Sequence, residues 1–94
     1  MDEIKIAKEL GINLDGTFDE DDSYVIDIPN DDLFGKIYSR FEDLVADGLL
    51  DNMESNSMIS EENLSVIYRY EDVYQLNLIA NLVSGVYKLV ISEL

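Results

Sequence analysis

Carboxylates are the only numerous side chains in this sequence that could carry chemistry. The 94 residues include 21 Asp and Glu but no Cys, His or Trp. The missing residue types exclude disulfides, thiol nucleophiles, zinc sites built on Cys or His, haem ligation by either residue, and triads that need imidazole. Paired carboxylates could still run acid–base catalysis. The candidates are Asp27, the pair Glu42 and Asp43, and the pair Glu71 and Asp72. No histidine and no glycine-rich phosphate loop accompanies them, so we predict a protein that is not an enzyme and holds no cofactor.

Residues 11–22 resemble an EF-hand calcium loop. The matching positions are Asn13, Asp15, Gly16, Phe18, Asp19 and Asp22. Two features break the resemblance: Gly11 occupies the first ligand position, and the residues after the loop have the pattern of a strand, where an EF-hand continues as a helix. The last position also holds an aspartate, which is shorter than the usual bidentate glutamate. We therefore interpret this segment as a turn and a solvated acidic loop, and predict no metal site.

The charge balance excludes anionic partners. The formal net charge is −15 at pH 7. The bases are few and scattered: Lys5, Lys8, Lys36, Arg40, Arg69 and Lys88. Binding to nucleic acid or to an anionic bilayer depends on neutralising phosphates with Lys and Arg. We therefore predict no direct binding of nucleic acid and no membrane partner.

The first residues carry no targeting signal. Met-Asp-Glu-Ile-Lys lacks the basic region and the apolar stretch of a secretory signal peptide. No run of apolar residues approaches the length of a membrane span. We therefore expect an unexported protein that works in the cytoplasm of the host cell.

The spacing of apolar residues predicts an amphipathic helix over residues 32–47. Asn30 precedes it as an N-cap, acids follow in the first turn, and Gly48 ends it. The apolar stripe recurs at steps of three and four residues: Leu33, Phe34, Ile37, Tyr38, Phe41, Leu44 and Val45. Gly35 within the helix suggests close packing against a neighbour. A short N-terminal helix is expected over residues 6–10, ended by Gly11.

Alternation of apolar and polar residues predicts the strands. Tyr24, Ile26 and Ile28 share one face of a strand that Pro29 ends. Brief strands are expected near residues 17–18 and around Met58. The remaining strand faces are Leu64, Val66, Tyr68 and Tyr70, then Tyr74, Leu76, Leu78, Ala80 and Leu82, then Tyr87, Leu89 and Ile91. We expect the tyrosines of these strands to be in the core or half-buried.

The length of the loop around residues 71–73 decides which residues of the two flanking strands lie opposite each other. A three-residue loop pairs Tyr70 with Tyr74 and keeps every buried pair apolar. A two-residue turn would instead place Arg69 on the buried face. Since a shift of one residue moves every side chain to the other face, we predict the three-residue loop.

For the last two strands, a two-residue turn at Ser84-Gly85 pairs Leu82 with Tyr87 and keeps the buried pairs apolar. A helix over residues 72–84, ended by Gly85, is the alternative. Short apolar runs of this kind fit both periods.

These elements predict an α+β fold. We expect an antiparallel sheet of about four to five strands, with the helix over residues 32–47 packed on one face and the short N-terminal helix beside it. A chain of 94 residues provides material for one hydrophobic core. Residues 1–94 are therefore predicted to form a single acidic domain.

Acids are concentrated in two long segments. The segment from Glu9 to Gly35, with both ends included, has nine acids and no base, and the segment from Phe41 to Tyr68 has seven acids and no base. Acids at alternate positions of a strand are about 6.6 Å apart, which is near the spacing of phosphates along a nucleic-acid strand. We predict that such an array binds a basic partner. The candidate partner-binding residues are Asp19, Glu20, Asp21 and Asp22, with Asp31, Asp32, Glu54, Glu61 and Glu62 as secondary candidates.

In size, charge blocks and lack of catalytic residues, the chain resembles the small acidic anti-defence inhibitors of phages and mobile elements, of the DNA-mimic and anti-CRISPR type. The resemblance implies a non-enzymatic inhibitor that binds the basic nucleic-acid-binding site of a larger protein, such as a CRISPR effector or another defence nuclease. Charge would orient the partner and speed association, while a few apolar or tyrosine contacts would supply lasting affinity.

Two alternative functions fit the same composition. One is an immunity protein that neutralises a toxin nuclease by the same electrostatics. The other is a small acidic adaptor or chaperone for a secretion or phage-assembly protein. The sign expected of the adaptor is a homodimer formed through an apolar patch, Leu49-Leu50 with Met53.

Overall fold

The computed structural model of the chain describes residues 2–53, 58–59 and 63–94. In chain order its elements are α1 (Asp2–Glu9), β1 (Thr17–Phe18), β2 (Tyr24–Ile28), α2 (Asp31–Ala46), β3 (Asp51–Asn52), β4 (Met58–Ile59), β5 (Asn63–Tyr70), β6 (Tyr74–Asn81) and β7 (Val86–Glu93). The strands form one antiparallel sheet in the order β1-β2-β7-β6-β5-β3, and β4 also pairs with β5. The α+β class is confirmed. The predicted count of four to five strands is wrong, because three two-residue strands raise it to seven in the described residues.

The principal helix lies within one residue of its predicted bounds. Asn30 caps it: its side-chain oxygen accepts the backbone N–H of Leu33 at 2.8 Å. Gly48, beyond the C-terminus, has a φ of 80°, which glycine adopts without strain. The buried stripe of α2 is Phe34, Ile37, Phe41 and Leu44. The short helix α1 begins at Asp2, four residues earlier than predicted.

Both helices cover the same face of the sheet, and the core lies between. Phe41 packs edge-on against Tyr68 with ring centroids 5.2 Å apart, and Phe34 lies 5.2 Å from Tyr87. Tyr68 is fully buried, whereas Tyr70, Tyr74 and Tyr87 are partly buried against the core. The positions predicted to face the core in β2, β5, β6 and β7 therefore do so, except Leu82, which lies beyond the end of β6 and is 57% exposed. We call this the covered face, and the opposite side of the sheet the outward face.

The loop between β5 and β6 has the predicted three residues. Tyr70 pairs with Tyr74, Tyr68 with Leu76 and Val66 with Leu78. Residues 74–81 are a strand, so the alternative helix over residues 72–84 is wrong.

The register between β6 and β7 differs from the prediction by two residues. Ala80 pairs with Tyr87 and Asn81 with Val86, so the loop has four residues rather than two. Asn81 explains the difference, since its side-chain oxygen accepts the backbone N–H groups of Val83 at 3.1 Å and Ser84 at 2.9 Å. These bonds build a turn around the asparagine. An even shift leaves every side chain on the same face, so the burial pattern could not distinguish the two registers.

Two further expectations are wrong. A Cβ added to Gly35 would meet nothing within 4 Å, so this glycine marks no close packing. Leu50 is only 2% exposed and belongs to the core, whereas Leu49 is 56% exposed. The apolar patch expected to mediate a homodimer is therefore divided between core and surface.

Candidate protein-binding surface

Hydrogen bonds hold the acidic turn, residues 19–22, between β1 and β2. Asp19 Oδ1 accepts the backbone N–H groups of Asp21 at 2.9 Å and Ser23 at 3.0 Å. The N–H of Asp22 donates to the Asp19 carbonyl oxygen at 3.1 Å, and Asp22 has a φ of 60°. Asp19 therefore shapes the turn. Glu20, Asp21 and Asp22 are exposed and remain available to a partner.

A cleft of about 530 Å³ lies beside the acidic turn. Four parts of the chain meet there: α1, β1, the acidic turn and the end of β7. The lining residues are Glu3, Phe18, Asp21, Asp22, Ser92 and Glu93. Tertiary structure thus adds Glu3 and Glu93, which are distant in sequence, to two of the predicted acids.

A second cleft of about 300 Å³ shares α1 with the first. It is lined by Asp2, Lys5, Ile6, Glu9, Tyr70, Glu71 and Tyr74. The Tyr70 hydroxyl donates to Glu9 Oε2 at 2.9 Å, and the Tyr74 hydroxyl donates to Asp2 Oδ2 at 3.2 Å. These two bonds join α1 to the β5–β6 hairpin and hold two helix carboxylates at the end of the sheet.

The phenols at this end stay neutral. The pKa of Tyr70 is raised, mainly because its hydroxyl donates a hydrogen bond to Glu9. Burial, followed by the hydrogen bond to Asp2, raises the pKa of Tyr74. Both hydroxyls therefore remain protonated donors at neutral pH and add no negative charge of their own.

We name this region the acidic end. It comprises α1, the acidic turn, Arg69, the 71–73 loop and Glu93. Its acids are Asp2, Glu3, Glu9, Asp19, Glu20, Asp21, Asp22, Glu71, Asp72 and Glu93, and its bases are Lys5, Lys8 and Arg69. Asp72 lies 3.7 Å from Arg69, but its side chain is 79% exposed, so solvent weakens this ion pair. With ten acids against three bases, the surface has a strongly negative potential.

Phe18 gives the acidic end an exposed aromatic contact. The ring is 43% exposed and lies 5.0 Å from the ring of Tyr24, which supports it from behind. The Tyr24 hydroxyl in turn accepts the backbone N–H of Gly16 at 2.9 Å. Gly16 is needed here, because a Cβ would lie 2.4 Å from the carbonyl oxygen of Val25. Phe18 is therefore presented on a tightly packed edge of the sheet.

Two of the secondary candidates, Asp31 and Asp32, do not join the acidic end. Asp31 and Asp32 begin α2, beyond the far end of β2, a strand of five residues that spans roughly 16 Å. Asp32 also lies 3.5 Å from Lys36. The structure therefore separates these two acids from the acidic turn. Glu54, Glu61 and Glu62 lie outside the described residues.

Two of the acids considered for catalysis, Glu42 and Asp27, have structural contacts in the fold. Glu42 accepts a hydrogen bond from the Tyr68 hydroxyl at 3.3 Å, while Asp27 lies on the outward face opposite Lys88. The segment after the EF-hand-like loop is β2, not the helix that a calcium loop requires. Within the described ranges, no group of three or more carboxylates is arranged to hold a metal ion. The helices described also include none long and apolar enough to span a membrane.

Comparisons with protein-family profiles, with curated proteins and with solved structures gave no match.

Sequence reasoning did not assign seven contributors to this surface: Asp2, Glu3, Glu9, Phe18, Glu71, Asp72 and Glu93. Glu93 was missed because the predicted β6–β7 register was shifted by two residues, and the turn-forming Asn81 is the signal that could have corrected it. In the observed register Glu93 pairs with Tyr74, beside the β5–β6 loop. The predicted register would have placed it two residues further along β6. The period of α1 gives no such signal, because acids on a short helix are ordinarily solvated.

Proposed function

We propose that this protein is a non-enzymatic inhibitor that binds the basic nucleic-acid-binding site of a larger protein in the cytoplasm of the host cell. A CRISPR effector or another defence nuclease is the most concrete target. The acidic end occupies the target's channel in place of a nucleic-acid strand. It binds neither nucleic acid nor membrane directly, because its charge has the same sign as theirs.

The observation that supports this proposal best is the convergence of acids from four chain segments on one end of the sheet. Asp21 and Asp22 share a cleft with Glu3 and Glu93, and α1 continues the acidic surface into the second cleft. Hydrogen bonds fix the acidic turn and anchor α1. A pre-formed array loses little entropy when a basic partner binds.

Charge and apolar contact have separate tasks in this interface. The negative potential steers a basic surface toward the acidic end and accelerates association at low salt. Phe18, exposed within the acidic cleft, supplies an apolar surface that an arginine or an aromatic residue of the partner can cover. Lasting affinity then depends on this contact, and orientation depends on the acids.

The first test is an affinity pull-down from the native host and from a panel of defence nucleases, performed at low and at high salt. We expect one basic nucleic-acid-binding protein to be retained at low salt and displaced by added DNA or RNA. A partner that survives high salt and ignores nucleic acid would overturn the proposal and favour the adaptor. A toxin nuclease as the captured partner would favour the immunity protein.

Matched variants locate the interface. The double substitution Asp21→Asn with Asp22→Asn removes two charges from the acidic end, and asparagine tolerates the positive φ of residue 22. We expect binding to weaken by roughly three- to tenfold, mainly through slower association. Asp19 is left in place because it holds the turn.

The control is Asp31→Asn with Asp32→Asn, which removes the same charge beyond the far end of β2. We expect it to change affinity by much less than the first double substitution. Equal losses in both variants would mean that net charge alone governs binding. A larger loss in the control would move the interface to the start of α2.

A further inference from the structure

The outward face of the sheet is a second candidate interaction surface. Both helices pack on the covered face, so alternate residues of β2, β7, β6 and β5 point away from the core. These outward residues are Val25 and Asp27, then Val86, Lys88, Val90 and Ser92, then Gln75, Asn77, Ile79 and Asn81, then Asn63, Ser65, Ile67 and Arg69. No described helix covers them.

Apolar side chains occupy the middle of this face. Strand pairing aligns Val25, Val90, Asn77 and Ile67 in one row across the sheet. Ile79 lies in the next row, beside Ser65, whose hydroxyl donates to Asn77 Oδ1 at 2.9 Å. The Asn77 side chain is thus hydrogen-bonded to the neighbouring strand. The other residues at the middle of the face include four half-buried aliphatic side chains, Val25, Ile67, Ile79 and Val90.

The outward face is charge-balanced, unlike the rest of the molecule. Asp27 lies opposite Lys88 in the register of β2 and β7. Asp51, on β3, lies opposite Arg69. With Arg69, which also borders the acidic end and lies 3.7 Å from Asp72, the described part of the face and its β3 edge carry two acids and two bases, on a chain with a net charge of −15.

The area of the face meets the lower limit for a specific dimer. Four strands at a spacing of ~4.8 Å and up to eight residues at ~3.3 Å give a projection of roughly 500 Å² per copy. Two copies would bury about 1,000 Å², which is near the smallest area of specific interfaces.

We propose that the outward face binds a second copy of this chain, with the two sheets packed face to face about a two-fold axis. A second copy is the occupant that the charges favour, because each face brings both signs and the two faces can pair reciprocally. A strongly basic partner has no reason to choose this neutral face over the acidic end. In the dimer both acidic ends stay exposed.

Salt distinguishes this proposal from the proposed function. The dimer brings together two chains of charge −15, and salt screens this repulsion, with a Debye length of about 8 Å at 0.15 M. Dimerisation should therefore strengthen as salt is raised, whereas binding of a basic partner should weaken. Each proposal can fail without the other.

The test is sedimentation equilibrium of the full chain at low and at physiological salt. We expect a species of twice the 10.7 kDa chain mass at physiological salt, with a larger dimer fraction than at low salt. Val90→Glu should reduce association at least tenfold. Val83→Glu, the same change on the exposed β6–β7 loop, should leave association unchanged. A monomer under all conditions, or loss of the dimer only in Val83→Glu, would overturn the proposal.

A conservative variant guards against misfolding of Val90→Glu. The chain has no cysteine, so Val90→Cys introduces one thiol near the centre of the face. Under mild oxidation it should form a disulfide-linked dimer faster than Val83→Cys, although Val83 is 75% exposed and Val90 is half-buried. The opposite order would show that cross-linking follows exposure, and would contradict a face-to-face dimer.

Discussion

The acidic side chains on the two faces of the sheet have different partners. On the covered face, tyrosine hydroxyls donate to helix carboxylates: Tyr68 to Glu42, Tyr70 to Glu9 and Tyr74 to Asp2. On the outward face, the acids of β2 and β3 lie opposite bases in the strand register. The first arrangement ties acids to the fold without neutralising them, while the second leaves a balanced surface. The surface proposed to bind a basic partner and the surface proposed to bind a second copy therefore differ in charge.

The largest expected difference between the faces is in stability. Phe41→Ala should lower the free energy of unfolding by about 3–5 kcal/mol, because the fully buried ring contacts Tyr68 in the core. Ile79→Ala, on the outward face, should cost about 1 kcal/mol or less, since its side chain is half-buried. Urea denaturation at a concentration where the chain is monomeric would measure both. Equal losses would contradict the assignment of the core to one face.

The sheet edge beside the acidic end provides the next test. Gly16→Ala should destabilise the fold by roughly 1–3 kcal/mol, since the added carbon would lie 2.4 Å from the Val25 carbonyl oxygen. The matched control is Gly35→Ala in α2, where nothing lies within 4 Å. Helix propensity predicts that this control stabilises by about 0.5–1 kcal/mol. Thermal melts of both variants should therefore shift in opposite directions.

High pH should weaken the covered face. Burial, then the charge of Glu42, raises the pKa of Tyr68. Above pH of about 10, the unfolded chain releases this phenolic proton while the folded chain retains it. The free energy of unfolding should therefore be unaffected below that pH and fall as pH rises beyond it. Tyr70 and Tyr74, whose pKa values are also raised, should act in the same direction.

The variant Tyr68→Phe tests the source of that slope. At neutral pH it should cost roughly 1 kcal/mol, the usual size of one hydrogen bond. Above pH of about 10, the free energy of unfolding of this variant should fall less steeply with pH than that of the unsubstituted chain. Denaturant unfolding at several fixed pH values would measure this dependence in both proteins. If the free energy of unfolding falls equally steeply with pH in both, Tyr68 does not cause the loss of stability at high pH.

Local rules made part of the fold predictable. The bounds of α2 follow from the Asn30 cap, the apolar stripe and Gly48, all of which act within one helix. The β5–β6 register was also predictable, because a shift by one residue would have buried Arg69. The β6–β7 register was not, since an even shift exchanges one apolar pair for another and the Asn81 turn decides between them.

By itself, the sequence determined the α+β class, the principal helix, the alternation that assigns strand residues to two faces, and the large negative charge. These depend on composition and on neighbours within one element. Only the tertiary structure decided which acids share a surface. It placed Asp21 and Asp22 beside Glu3 and Glu93, and left Asp31 and Asp32 at the other end of β2. The physical reason is that strand pairing and helix packing bring distant residues together, and no local pattern encodes the distance between carboxylates on different parts of the chain.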